Sequence, residues 1–224
     1  MTTLLLVDDD PDLRAMLALS LADEGYTVVE AQDAESALFE LSRRAIDIAL
    51  LDMRLPGMSG LELCREIRRR GRTPVVAVTA HTDSADVVEW LDAGADDHVS
   101  KPVDVSELAA RVRSLLRRTE GDLAPPTILR VGDLLVHLPA GEVERAGERV
   151  ALSMVEARLL ALLGERAGTV VGREELLERV WGRDSTDDLR IVDRHVERLQ
   201  EKLAGERGAP VIVAVLDAGY RLDT

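Results

Sequence analysis

LLLVDDD at residues 4–10 is a short apolar run that breaks into carboxylates, and IDIALLD at residues 46–52 repeats the pattern. Each run is bounded by polar residues, which suits a strand buried on both faces. If the two strands are parallel neighbours, Asp8, Asp9 and Asp52 converge at one carboxyl edge of the sheet. Acids so placed repel one another strongly unless something offsets their charge. A divalent cation does so, and a hard one such as Mg²⁺ takes oxygen ligands. The acids therefore point to a metal-dependent site that handles phosphate.

Working outward, three more apolar runs follow the same rhythm: YTVV (26–29), PVVAVT (74–79) and DHVS (97–100). Between and after the runs lie DLRAMLALSLADEG (12–25), AESALFELSRR (34–44), SGLELCREIRRR (59–70), SADVVEWLDAG (84–94) and SELAARVRSLLRR (106–118), all at helical period. Gly25, Gly71 and Gly94 stand where helix C-termini are expected. Strands alternating with helices predict an α/β fold, a doubly wound five-stranded parallel sheet whose ligand site lies at the strands' carboxyl ends.

Beyond residue 118 the pattern changes. TEGDLAPP (119–126) has two prolines and no apolar periodicity and reads as a linker. ILRVGDLLVHL (128–138), GEVERAG (141–147) and ERVAL (148–152) predict short antiparallel strands. Helices follow over 153–168, 172–182 and 185–205, and VIVAVLDAGYRLD (211–223) predicts a closing hairpin. The expected organisation is a first domain over 1–118, a linker over 119–127 and an α+β second domain over 128–224.

Composition narrows the function classes. The 224 residues are 46% apolar but only 2% aromatic, so Leu, Val and Ala must fill the cores. No run of 18 apolar residues and no charged-then-apolar leader is present, so neither a membrane span nor a signal peptide is expected. The single cysteine, Cys64, excludes an intramolecular disulfide, fits a reducing cytoplasm and is expected to pack in a core. Histidines 81, 98, 137 and 195 lack zinc-ligand spacing. The net charge of −14 argues against nucleic-acid binding by the chain as a whole. Residues 1–119 hold 14 basic and 22 acidic residues, hence −8, which leaves −6 for the remainder. DNA contact must then come from a local stripe of charge.

Thr79 and Lys101 extend the carboxylate site, because each ends a predicted strand at the same edge. A lysine can balance phosphoryl oxygens, a metal can bridge them and a hydroxyl can donate to them. A carboxylate can attack phosphorus to give an acyl phosphate. Asp52, alone at a central strand end before a Pro-Gly turn, is the nucleophile candidate. Taken singly, an Asp-Asp pair after a strand is most often a helix cap, and Asp10 or Asp12 is expected to cap the first helix. A lone lysine is usually a surface residue. Four such positions at four strand ends favour the functional reading.

VDDD (7–10), LLDMRLPGMSG (50–60), VTA (78–80) and SKP (100–102) resemble the receiver domain of two-component response regulators, a flavodoxin-like fold. By that resemblance Asp52 accepts phosphate from a sensor histidine kinase. Asp9, Asp52 and the backbone carbonyl of Arg54 bind Mg²⁺ (or Mn²⁺), and Asp8 acts through water. Thr79 and Lys101 sense the phosphoryl group, and the Lys101–Pro102 bond is cis. Two departures stand out. His98 occupies the switch position usually held by Tyr or Phe, which implies weaker or pH-dependent coupling. Arg54 and His81 fall at the variable positions that tune phosphate lifetime.

RVGDLLVHL (130–138), LSMVEARLLALL (152–163), GREELLERVWG (172–182), IVDRHVERLQEKL (191–203) and GYRL (219–222) resemble the winged helix-turn-helix effector of the OmpR/PhoB class. Ala157 stands where that family usually has an aromatic. On the third helix Val192, Val196, Leu199 and Leu203 form a core arc. Arg190, Arg194, Arg198 and Lys202 form a basic stripe away from it, with His195 on the flank and Asp193, Glu197 and Glu201 as a parallel acidic stripe. Opposed charges on a solvated face would account for both stripes at ~0.2–0.5 kcal/mol per pair. Like charges spaced by four repel, however, and gain by meeting phosphates. The resemblance makes this the recognition helix, with Arg190, His195 and Arg198 at DNA-contacting positions. Glu197, Gln200 and the wing pair Leu216-Asp217 replace residues often basic or Arg-Gly in relatives, which implies weak monomeric DNA binding.

The same resemblance implies an activated homodimer formed through the fourth helix, fifth strand and fifth helix. Asp97–Arg111 and Asp92–Arg113 are available to join two subunits, whereas Val87 faces Glu107 where a basic residue is usual. The expected function is a phosphorylation-controlled, cytoplasmic transcription regulator that binds repeated half-sites in promoter double-stranded DNA, with room for RNA polymerase as a further partner. An enzyme is the less favoured class: a Mg²⁺-dependent phosphatase would lack an acid/base aspartate two residues after Asp52, where Arg54 stands. A receiver whose acidic effector binds protein instead of DNA is the other alternative.

Overall fold

The structure is a computed structural model that describes residues 2–80, 84–116, 127–138, 142–145, 147–182, 189–204, 211–216 and 218–223. They fall into two compact units divided after Leu116.

The first unit alternates strand and helix: β1 (Thr3–Val7), α1 (Pro11–Asp23), β2 (Thr27–Ala31), α2 (Ala34–Arg43), β3 (Ile48–Asp52), α3 (Gly60–Arg70), β4 (Val75–Thr79), α4 (Ser84–Ala93), β5 (Asp97–Ser100) and α5 (Val105–Leu116). The sheet order is β2-β1-β3-β4-β5 and all pairings are parallel. Every residue of β3 and β4 is buried, as strands covered on both faces require. Leu5, Val7, Ala49, Leu51 and Ala77 pack with Leu63, Ile67 and Trp90 of α3 and α4 in one core layer. Their alternating neighbours Leu4, Leu6, Ile48 and Leu50 point to the opposite face and are also fully buried.

β2 begins one residue later than its apolar run and continues through Glu30 and Ala31. Gly25, at φ 92°, reverses the chain, and the Tyr26 N–H is still tied to Leu21 O at 3.2 Å. As an edge strand β2 exposes Glu30 without penalty. Helix starts follow local chemistry. The Asp10 carboxylate accepts from the Asp12 and Leu13 N–H groups with Pro11 at the first helical position, and Ser59–Glu62 closes a capping box on α3. Cys64 is fully buried on α3.

The second unit holds β6 (Thr127–Val131), β7 (Leu134–Leu138), β8 (Glu142–Arg145), β9 (Glu148–Arg149), α6 (Met154–Glu165), α7 (Arg173–Trp181), α8 (Arg190–Leu203), β10 (Val211–Val215) and β11 (Gly219–Asp223). β6 to β9 form an antiparallel sheet and β10–β11 a hairpin. The strand expected over 148–152 is confined to two residues. The hairpin is locked at Gly219, φ 142°, where a side chain would sit 2.0 Å from the Val171 carbonyl oxygen. Residues 119–126 of the expected linker, His81, the Val87 side chain, Asp217 and the start of the helix expected from residue 185 lie outside the described residues, and Thr127, expected as the linker's last residue, instead opens β6. Among the described residues no helix is long and apolar enough to cross a membrane.

Candidate functional site

β1 and β3 are hydrogen-bonded neighbours, with Val7 opposite Leu51, so their following carboxylates meet at one edge. Asp8, Asp9 and Asp52 each offer an oxygen within 4.8 Å of the others. Asp8 is 1% exposed and Asp52 7%, whereas Asp9 is open to solvent. Thr79, buried at the end of β4, and Lys101, directly after β5, reach the same edge because Thr79 pairs with Ser100. Lys101 Nζ lies 2.9 Å from Asp8 Oδ2 and 3.1 Å from Asp52 Oδ2. The other oxygen of Asp8 accepts from the Asp10 N–H at 2.9 Å. The Lys101–Pro102 peptide is cis.

Electrostatics follow from this packing. Burial pushes the Asp52 carboxyl up; the Lys101 charge opposes that and the Asp8 charge adds to it, so Asp52 ends above the usual aspartate range. Burial alone would lower Lys101, but its hydrogen bond to Asp8 and the charges of Asp52 and Asp8 outweigh burial and hold it above the usual lysine value. Three carboxylates thus cluster where one ammonium contacts two of them, and the excess negative charge with an open side at Asp9 fits a hard divalent cation. The exposed Arg54 lies in the loop after β3. The loop's return is tight: a side chain at Gly60 would come 1.9 Å from the Asp52 carbonyl oxygen and 3.0 Å from the Trp90 ring. Only glycine lets α3 start this close beneath the acid.

In the second unit α8 departs from the expected face assignment. Val192, Val196, Leu199 and Leu203 are buried, but so are Ile191 and His195. His195 is 1% exposed and packs its ring 5.3 Å from that of Trp181. The basic stripe is split. Lys202 Nζ bonds Glu156 Oε2 at 2.6 Å and Arg198 Nε lies 3.7 Å from Oε1, so both cations turn toward α6. Glu156 is fully buried and also accepts from the Ser153 N–H at 2.7 Å. Arg190 is exposed, and Arg194 pairs with Glu197 of its own helix at 2.7 Å. Asp193 accepts from Arg173 Nε at 2.8 Å and from the Tyr220 hydroxyl, which ties the hairpin and α7 to α8. Gln200 donates to Ile212 O at 2.7 Å.

Residues 4–113 match the family model of the response regulator receiver domain, and residues 147–222 that of the transcriptional regulatory protein C-terminal domain. The chain is 41% identical over 219 residues to the DNA-binding response regulator MtrA of Mycolicibacterium smegmatis, covering 97% of this chain and 95% of that one. It is 43% identical over 232 residues to the transcriptional regulatory protein CseB of Streptomyces coelicolor, covering 99% and 97%. Among solved structures, a mutant of RitR aligns over 100% of this chain and 99% of its own with a TM-score of 0.83 at 26% identity. The Thermotoga maritima regulator DrrB, titled an OmpR/PhoB homologue, aligns over 100% of both chains with a TM-score of 0.53 at 30% identity. The chain is a two-component response regulator of the OmpR/PhoB class. Its second unit is a DNA-binding effector.

Within this response regulator some expected site residues need correction. His195 is a core residue, so it leaves the set of candidate DNA contacts. Its spacing, three after Val192 and four before Leu199, already put it on the apolar arc; its polar type argued for the flank. Arg198 and Lys202 are held by Glu156 rather than standing with Arg190 and Arg194. Glu156 was not anticipated, although Ser153-x-x-Glu156 before an apolar run is a capping-box signature. Arg111 meets Asp97 at 2.9 Å and Glu107 at 2.8 Å within its own chain, because β5 and α5 pack together. Arg113 meets Glu24 at 2.7 Å. Both arginines therefore begin with intrachain partners. Asp92 is exposed and His98 is half-buried on β5.

Proposed function

We propose that Asp52 is the phosphoacceptor of this regulator, that a sensor histidine kinase supplies the phosphoryl group, and that the product controls promoter binding in the cytoplasm. The observation that carries this is Lys101 bridging Asp8 and Asp52 beside an open Asp9. An Asp52 oxygen attacks phosphorus, the bond to the donor's imidazole nitrogen breaks, and the imidazole leaves. Lys101 moves with the phosphoryl oxygens it neutralises, and the Thr79 hydroxyl donates to one of them. Asp8, Asp9, Asp52 and the Arg54 carbonyl would hold Mg²⁺, or Mn²⁺ in its place, which supplies charge neutralisation when bound. On this reading the chain is a switch and not a turnover enzyme. Incubating the full chain with acetyl phosphate and Mg²⁺ should give an acid-stable, base-labile adduct that mass spectrometry maps to Asp52. An adduct on another residue would overturn the assignment.

Phosphorylation then biases Thr79 and His98 and favours a homodimer across α4, β5 and α5. Forming cross-subunit pairs there requires Arg111 to exchange Asp97 and Glu107 of its own chain for those of its partner. The Arg111 and Asp97 side chains are 11% and 4% exposed in the single chain, so the exchange gives up a largely buried pair to form its equivalent, and only the Glu107 contact is a surface one worth ~0–1 kcal/mol. Dimerisation places two effectors on repeated half-sites, and RNA polymerase is a further partner at such promoters.

For DNA contact, α8 divides its cations. Arg190 and Arg194 are the proposed phosphate or base contacts, and Arg198 and Lys202 contribute less because the buried Glu156 charge depends on them, whereas the Glu197 that pairs with Arg194 is 55% exposed and can be exchanged for phosphate. Arg190→Gln and Arg194→Gln should each reduce the slope of log affinity against log salt by ~0.9. Lys202→Gln should leave that slope nearly unchanged. Fluorescence anisotropy with a two-half-site duplex between low and physiological salt reads this directly, and an equal loss at all three positions would contradict the division.

A further inference from the structure

Arg14 stands out on two counts. It is the fourth residue of α1, close to a helix N-terminus where the macrodipole disfavours a cation. It is also drawn inward, with its side chain only 15% exposed. Its Nη1 donates to the backbone carbonyl of Asp8 at 2.6 Å, and its Nε lies 3.4 Å from Glu30 Oε2 at the end of β2. Its own backbone N–H bonds Asp10 O at 3.0 Å, and Asp10 in turn donates to the Asp8 carboxylate and caps α1. The segment that carries Asp8 and Asp9 is therefore closed into a ring by one arginine.

We infer that Arg14 is a positioning residue for the carboxylate cluster, holding the backbone from which Asp8 and Asp9 reach the cation. This rests on the reading of that cluster as the Mg²⁺ site serving Asp52. The physical reason lies in Lys101. In the unphosphorylated state Lys101 is one of the groups fixing the Asp8 carboxylate, but the phosphoryl group draws it away. The Asp10 N–H and Arg14 then remain, one on the Asp8 carboxylate and one on its carbonyl. Without Arg14 a part-buried carbonyl loses its charged donor and the loop gains freedom that cation binding must remove. Glu30 is the lesser partner, since it is half exposed and at longer range.

Mg²⁺ binding to the full chain, measured by calorimetry, and the rate of Asp52 phosphorylation by acetyl phosphate at saturating Mg²⁺ test this together. Arg14→Gln should weaken Mg²⁺ binding by ~10-fold, as loss of an outer partner of a ligand does, while the rate at saturating Mg²⁺ stays within a few-fold. Arg14→Lys, which keeps the charge but replaces the rigid guanidinium donor on the Asp8 carbonyl by a flexible ammonium, should fall between Arg14→Gln and wild type. Glu30→Gln should bind Mg²⁺ as wild type does. If Arg14→Gln fails to fold, wild-type Mg²⁺ affinity in Arg14→Lys would still overturn the inference. Unchanged binding in Arg14→Gln with lowered thermal stability overturns it alone and leaves the site standing. A wild-type chain that binds no Mg²⁺ removes the site reading and the inference with it.

Discussion

Asp52→Asn should abolish every phosphate-dependent gain in promoter occupancy while leaving the basal affinity of the effector in place. The asparagine fills the same buried corner beside Lys101 but cannot act as the carboxylate nucleophile. The size of the effect comes from linkage of two modest binding events. Once one effector of a dimer is seated, the second meets its half-site at high effective concentration, which raises apparent affinity ~10²–10⁴-fold without new contacts. Wild-type chain treated with acetyl phosphate and Mg²⁺ should gain on that scale for a duplex with two half-sites and little for one with a single half-site. Asp52→Asn should gain on neither. In cells, occupancy across the genome should fall in the variant at the same paired sites. A variant that still responds to phosphate would place the acceptor elsewhere.

The second large effect is expected at Glu156. Its carboxylate is fully buried between the N-terminus of α6 and two cations of α8, so removing it leaves Lys202 and Arg198 short of their partner. Breaking a buried ion pair by deleting one member typically costs ~3–5 kcal/mol, and the partial exposure of both cations favours the lower end. Glu156→Gln should therefore destabilise the effector by about 3 kcal/mol while sparing the receiver. Each unit holds one tryptophan, Trp90 in the first and Trp181 in the second, so denaturant unfolding in a Trp90→Phe background reports the effector alone.

The pH dependence has a definite sign. Burial pushes Glu156 up, but the Lys202 charge and hydrogen bond, the Arg198 charge and the Ser153 N–H overcome it and hold the group below its ordinary value of 4.5. A carboxyl lowered on folding contributes stability in full above its unfolded value, and that stability is lost as pH falls through the lowered folded value. Wild-type effector should thus lose stability below pH 4.5, and Glu156→Gln should lack that component. Equal acid sensitivity in both chains would count against Glu156 as the buried anion.

How legible the receiver was can be traced to particular residues. Asp8, Asp9, Asp52, Thr79 and Lys101 each sit at or just past a strand end, and a parallel sheet brings strand ends to one edge whatever fills its core. The site was therefore readable as soon as the strands were. The β2 boundary was less so, because an edge strand carries Glu30 and so breaks the apolar signal that marks an interior one. Arg14 gave no sequence signal, since its role depends on where the Asp8 carbonyl points.

The effector was harder to read for a related reason. Helical periodicity placed Val192, Val196, Leu199 and Leu203 correctly, because burial of apolar residues follows spacing alone. Polar residues on α8 obey partners instead. His195 entered the core beside Trp181, and Arg198 and Lys202 turned to a glutamate 42 and 46 positions away in the chain. By itself, then, the sequence determined the alternation of strand and helix, the carboxylate edge and the class of regulator. Only the tertiary structure decided which cations of α8 Glu156 engages, and that the Asp8 carbonyl accepts from Arg14. Both depend on charged side chains choosing partners across elements, and no local periodicity encodes that choice.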